Sequence, residues 1–251
     1  MLHIISHGSD FGTPLIIAHG LFGSARNWGV IAKRLSDSRR VIAFDMRNHG
    51  ASPWQDDHSY PALAEDLAQV IASIGGPPVD VLGHSMGGKA AMVAALSGAD
   101  IRRLIVADIA PVIYGHTQQH LIDAMLAIPL DQLSSRAEAE QILSRHIKDP
   151  TVRSFLLQSL NLQDQSWRLN LPALRACMEQ IIGFPDVSGQ FTAPTLFLTG
   201  ATSDYLRPEH RPTIKSLFPK ARFAKIPNAG HWLHAEKPRE FEAAVRVFLD
   251  A

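Results

Sequence analysis

Short, wholly apolar runs recur along the chain, each closing on a glycine, serine, histidine or aspartate. "PLIIAHG" (14–20), "RRVIAFD" (39–45), "VDVLGHS" (79–85), "RRLIVAD" (102–108) and "PTLFLTG" (194–200) are of this kind. They do not alternate apolar with polar, so they predict strands buried on both faces, as in a parallel sheet. Longer stretches with helical spacing lie between them, over roughly 24–36, 60–74 and 86–98. The last third adds "RPEHRPTIKSLF" as a helix, "ARFAKIP" as a strand and "PREFEAAVRVFL" as a closing helix. Strand–helix alternation of this order predicts an α/β fold, a mostly parallel, doubly wound sheet.

One segment breaks the rhythm. From Val112 to about Gln190 no strand run is legible. "QQHLIDAMLAI", "SRAEAEQILSRHI", "DPTVRSFLLQSL" and "LPALRACMEQII" instead carry apolar residues at helical spacing, with Pro111, Pro129, Pro150 and Pro172 near the breaks. The expected division is a core of residues 1–111 and 191–251, with a helical cap inserted at 112–190.

Composition narrows the function classes. Lys+Arg and Asp+Glu both number 24, so no basic excess points to nucleic acid as a partner. No run of roughly eighteen apolar residues marks a membrane span, and the N-terminal "MLHIISHGSD" has no secretory character. A single cysteine, Cys177, excludes a disulfide within the chain; at helical spacing from Leu174 and Ile181 it is expected to pack. A cytoplasmic setting is the expectation. The 12 histidines show no metal-ligand spacing, so neither a metal nor an organic cofactor is expected.

The chemistry is carried by "GHSMGG" (83–88), set between a predicted strand and a predicted helix. Gly83-His84-Ser85-Met86-Gly87 has the G-x-S-x-G form of a nucleophile elbow. Such a turn holds the serine in a strained conformation, and the residues two away must lack side chains that would clash. The hydroxyl then projects beyond the strand end, where open α/β sheets bind ligands. A serine hydroxyl needs a base. His231 in "NAGHWLHAEKP" follows the last strand and takes precedence over His234, because it comes first and Gly230 precedes it. Two carboxylates stand after strand ends as candidates to orient it, Asp108 in "RLIVAD" and Asp204 in "LTGATSDYLRP". Asp45 precedes the serine and reads as a brace for its own loop. Oxyanion donors are expected from the amide of Met86 and from that of Leu21 or Phe22, beside Gly20 and Gly23. His19 and His84 read as structural hydrogen-bonding groups.

Together, "HGLFGS" (19–24), "FDMRNHGAS" (44–52), "GHSMGGKAA" (83–91), "DIAPVIY" (108–114) and "NAGHWLHAEKP" (228–238) resemble the α/β-hydrolase superfamily. More narrowly they resemble the small YbfF-type esterases and their mitochondrial relatives. "SWRLNLPAL" extends a looser likeness into the cap. The resemblance implies that the acid is the aspartate of the "DIAPV" motif, Asp108, and that the place after the late strand lacks one. In this chain Ser203 takes that place and Asp204 follows it, so Asp204 stays as the alternative acid.

The expected activity is hydrolysis of a carboxylic ester or thioester through an acyl-enzyme, with a small-molecule substrate. The resemblance implies action on small esters and extends to acyl-CoA thioesters. Phe22, Trp28, Met86, Phe155, Leu156, Trp167 and Phe184 are the expected apolar lining, and Lys89 and Arg168 could meet an anionic group. Rival readings are a cofactor-free haloperoxidase or perhydrolase, a carbon–carbon bond hydrolase, and a receptor that keeps the triad without turnover. Ser85→Ala is expected to abolish labelling by a fluorophosphonate and to lower ester turnover on the order of 10⁴-fold. A mutant that labels as fast as wild type overturns the assignment.

Overall fold

The computed structural model describes residues 1–75 and 78–251. The chain runs β1 (Ile4–His7), β2 (Leu15–Ala18), α1 (Gly29–Leu35), β3 (Val41–Phe44), α2 (Tyr60–Ile74), β4 (Val79–His84), α3 (Met86–Leu96) and β5 (Ile101–Ala107). Then come α4 (Gln119–Leu126), α5 (Arg136–Ser144), α6 (Pro150–Leu157), β6 (Leu160–Asn161), β7 (Ser166–Trp167), α7 (Leu171–Ala176) and α8 (Met178–Ile182). The chain closes with β8 (Thr195–Gly200), α9 (Arg211–Leu217), β9 (Ala221–Ile226), α10 (Leu233–Glu236) and α11 (Pro238–Leu249).

Seven strands form one sheet in the order β1-β3-β2-β4-β5-β8-β9, parallel except for β1 at the edge. The apolar runs are buried on both sides. Ile16, Ile42, Val81, Leu104, Val106 and Phe197 face a core closed by α2 and α3. Leu15, Ile17, Val41, Leu82, Ile105 and Leu198 face a second core closed by α1 and α11. Burying both faces removes the alternation that marks a half-exposed strand. β1 escapes sequence reading because "IISH" is short and only partly buried.

The segment between β5 and β8 carries α4 to α8 where four helical stretches are expected, because "LPALRACMEQII" divides into α7 and α8 at Cys177, and it is not free of strands. β6 and β7 pair as an antiparallel ribbon, Leu160 opposite Trp167. Two-residue strands leave no periodic signal. Helix starts follow local chemistry: Asp149 accepts the Thr151 amide at 2.8 Å ahead of α6, and Pro150 opens the helix. Among the described residues no helix is long and apolar enough to cross a membrane.

The loops beyond β2 and β3 are braced by buried polar groups. Asp45 accepts the amides of Ala25 at 2.8 Å and Ala51 at 2.9 Å, so it does hold its own loop and its neighbour. His19 accepts the Met46 amide at 2.9 Å, His49 accepts the Phe22 amide at 3.2 Å, and Asn48 donates to His58 at 3.2 Å. Each ring accepts through one nitrogen, so each must be neutral. Burial pushes His19 down to about 4, and His49 and His58 down to about 3. Against ordinary values of 6.5, the unfolded chain binds more protons than the folded one below that pH. Stability is therefore expected to fall as pH drops from about 6.5 toward 4, by up to roughly 1.4 kcal/mol per pH unit for each histidine. Urea unfolding across that range measures it. His49→Gln, which keeps an acceptor and a donor, should shallow the slope by about one proton; an unaltered slope would show that His49 does not contribute.

Candidate active site

Ser85 lies between the end of β4 and the start of α3 with φ 53° and ψ −120°. This is a backbone conformation that side chains rarely tolerate. The two flanking glycines make it possible: a methyl group on Gly83 would strike the Gly87 backbone, and one on Gly87 would strike the carbonyls of Ala18 and His19. The hydroxyl Oγ stands 3.1 Å from His231 Nε2, and His231 Nδ1 stands 2.7 Å from Asp108 Oδ2.

His231 is held from several sides. Glu236 accepts the amides of Gly230 at 2.7 Å and Trp232 at 3.2 Å, gripping the backbone before and after it. His84 Nε2 donates to the His231 carbonyl at 2.8 Å, and the Tyr205 ring stacks on the imidazole with centroids 4.0 Å apart. Asp108 is fully buried at the end of β5. Besides His231 it receives the Ser203 hydroxyl at 2.5 Å, the Gly200 amide at 3.0 Å and the Thr199 hydroxyl. Asp204 is elsewhere: its carboxylate is solvent-exposed and pairs with Arg207 at 3.3 Å. His234 is also apart from the serine, buried and stacked on Trp28 at 4.1 Å, and burial pushes its imidazole down to about 3.

Met86 opens α3, and among the described residues its amide has no hydrogen-bond partner; the same holds for Leu21. The Phe22 amide is taken by His49 and the Gly23 amide by the Gly20 carbonyl at 3.0 Å. Of the two residues expected in that loop, Leu21 is thus the one with a donor to spare.

Ser85, His231, Leu21 and Met86 open into a cavity of ≈ 460 Å³. Phe22, Trp28, Phe155 and Leu156 line it, together with Ile109, Leu121 and Val152. Trp167 does not. It sits in the β6–β7 ribbon with its indole N–H donated to the Met125 carbonyl at 3.2 Å, so it packs the inserted segment internally. Phe184 also lies outside the lining, against Tyr60. An aromatic side chain in the inserted segment does not by itself report whether it meets a neighbour or a void, which is why both residues were expected in the wall. Arg168 borders a separate pocket of ≈ 60 Å³ behind the Phe22–Gly23 turn. Cys177 is buried, with its thiol 3.4 Å from the Asp56 carbonyl. Lys89 does reach the cavity, but its ammonium is spent on three backbone carbonyls, and burial pushes it down to about 7. Tyr205, Glu236, Ser203 and Thr199 were not singled out as functional. The hydroxyl-rich "LTGATSD" was the available signal for the last two.

A model of the alpha/beta hydrolase family matches residues 15–244. The sn-1-specific diacylglycerol lipase ABHD11 of Mus musculus is 41% identical over 248 residues, covering 94% of this chain and 80% of that protein. Esterase YbfF of Escherichia coli (strain K12) is 38% identical over 241 residues, covering 95% of this chain and 93% of that one. Among solved structures, a marine microorganism esterase superposes with a TM-score of 0.94 at 39% identity, over 98% of each chain. The glycine-flanked serine turn, the parallel sheet that carries it and these similarities converge: the chain belongs to the α/β-hydrolase family.

Proposed function

We propose that this chain is a serine esterase that cleaves carboxylic acyl esters through a covalent acyl-enzyme. One observation carries the reading: the unbroken hydrogen-bond line from Ser85 Oγ through His231 to Asp108, opening into a largely apolar cavity. On this reading Ser85 attacks the acyl carbon while His231 takes its proton. Asp108 fixes the tautomer with the proton on Nδ1 and stabilises the imidazolium as it forms. The amides of Met86 and Leu21 receive the oxyanion, each contributing about 2.7–4 kcal/mol to the transition state. His231 then protonates the leaving alcohol and activates water for deacylation.

The inserted segment, residues 112–190, acts as a cap that supplies Leu121, Val152, Phe155 and Leu156 to the acyl wall. The substrate class is suggested by the apolar wall and by the relatives named as an esterase and a diacylglycerol lipase. Thioesters of acyl groups fit the same wall and the same attack. A cytoplasmic setting belongs to the proposal, on the single, buried Cys177.

The test is turnover of a panel of acyl esters of increasing chain length by wild type, Asp108→Asn and Asp204→Asn. Wild type is expected to turn over many equivalents. Asp108→Asn should lower kcat by ~10²–10⁴-fold with little effect on KM, as expected for loss of a triad acid. Asp204→Asn removes a solvent-exposed ion pair and should lose less than about tenfold. A crippled Asp204→Asn beside a near-normal Asp108→Asn would move the acid to the late loop. One covalent event per chain, without turnover, would replace the esterase by a receptor.

A further inference from the structure

Lys89 is unusual among the cationic side chains in being buried with no carboxylate beside it. It lies on α3 four residues after Ser85, and its backbone amide donates to the Ser85 carbonyl at 3.0 Å. Its side chain is 1% exposed, and among the described residues no carboxylate lies within ion-pair distance. The ammonium donates to the Val112 carbonyl at 2.9 Å, to the Ile182 carbonyl at 2.9 Å and to the Gly183 carbonyl. An ammonium has three donors, so its capacity is fully used. The Tyr114 ring, 4.7 Å from Nζ, and the Tyr60 ring, 5.6 Å away, offer their faces to the charge.

The three carbonyls are not a random set. Val112 is where the chain leaves the sheet for the inserted segment, and Ile182–Gly183 is where it starts back toward β8. Two further bonds join the same place: the Tyr114 amide donates to the Ile182 carbonyl at 3.0 Å, and the Tyr60 hydroxyl to the Ile181 carbonyl at 2.6 Å. A buried charge is costly unless hydrogen bonded, and removing it leaves buried acceptors without partners. Outgoing and returning segments therefore share one polar knot, tied from the helix that begins beside the serine.

We propose that Lys89 is a positioning residue: its ammonium ties both connecting segments of the inserted region to α3 and so holds the roof of the acyl cavity in register with Ser85. This rests on the reading of that segment as the roof of an acyl site. Lys89 acts through the segments it holds. It does not touch the reacting atoms.

Hydrogen exchange on the intact chain tests the knot without any substrate. In wild type, peptides spanning 110–116 and 180–186 should open as one unit, with protection within about threefold of each other. In Lys89→Met, which keeps the stem and removes the donors, protection should drop about tenfold or more in both peptides, while β5 and β8 hold theirs. kcat/KM for an octanoyl ester should then fall about tenfold further than that for an acetyl ester, with Ser85 still labelled by a fluorophosphonate. Should Lys89→Met fail to fold, Lys89→Gln, which restores two donors, takes its place, and the wild-type arm stands regardless. Independent opening of the two peptides in wild type, or loss of protection in only one or neither of them in the variant, overturns the knot. Loss in both with unaltered preference among acyl chains overturns instead the reading of the segment as the roof.

Discussion

A fully buried carboxylate organises the site. Asp108 has no access to water, so every lone pair it presents must find a donor inside the protein. It finds them on three separate stretches of chain: the end of β8 with Thr199 and Gly200, the following turn with Ser203, and the loop of His231. Satisfying this one charge draws the ends of β5 and β8 and the loop after β9 to a single point. The imidazole is then one of four donors competing for a charge with no other outlet. This is why its ring is fixed so closely in orientation, and why Ser203 and Thr199 belong to the architecture of the line although neither faces the cavity.

Around this point the fold divides the labour. The sheet and its two cores are apolar and set distances. The loops beyond β2 and β3 are polar and set orientation through neutral imidazoles, amides and Asp45. A carboxylate and several buried rings lie close together there, yet each ring has one tautomer that satisfies it. The positive φ values of Phe22 and Ser85, 63° and 53°, fall on the two turns that border the serine hydroxyl. The strain at these two turns is held by the packing beneath them.

Much of this was legible in the chain itself, for a physical reason in each case. Runs such as "LIIA" and "LIVA" cannot be half-exposed, so the central strands and the parallel sheet followed from them. Gly83 and Gly87 marked the strained turn because nothing larger fits there. The wall of the cavity was less legible. Phe155 and Trp167 look alike as aromatic residues in an amphipathic segment, but one meets the void and the other a neighbouring carbonyl, which depends on how the helices dock. The ribbon at β6–β7 left no periodic trace. Ser203 read as the vacant place of an acid; its hydroxyl in fact donates to Asp108, just past the end of β5. Lys89 read as a cation that could meet an anionic group, because no sequence pattern reports three backbone carbonyls converging from residues 112 to 183.

The position of Asp108 has a mechanical side. Only Ile109, Ala110 and Pro111 separate it from Val112, where the knot at Lys89 begins, and all three are buried. Proline fixes one torsion of this link, and packing removes slack from the rest. The carboxylate and the root of the inserted segment are thus coupled in series by a short, stiff lever. A load on the segment is delivered to the same backbone that carries the carboxylate bonded to His231. On the proposed reading, seating of the substrate and alignment of the proton relay become two ends of one strut.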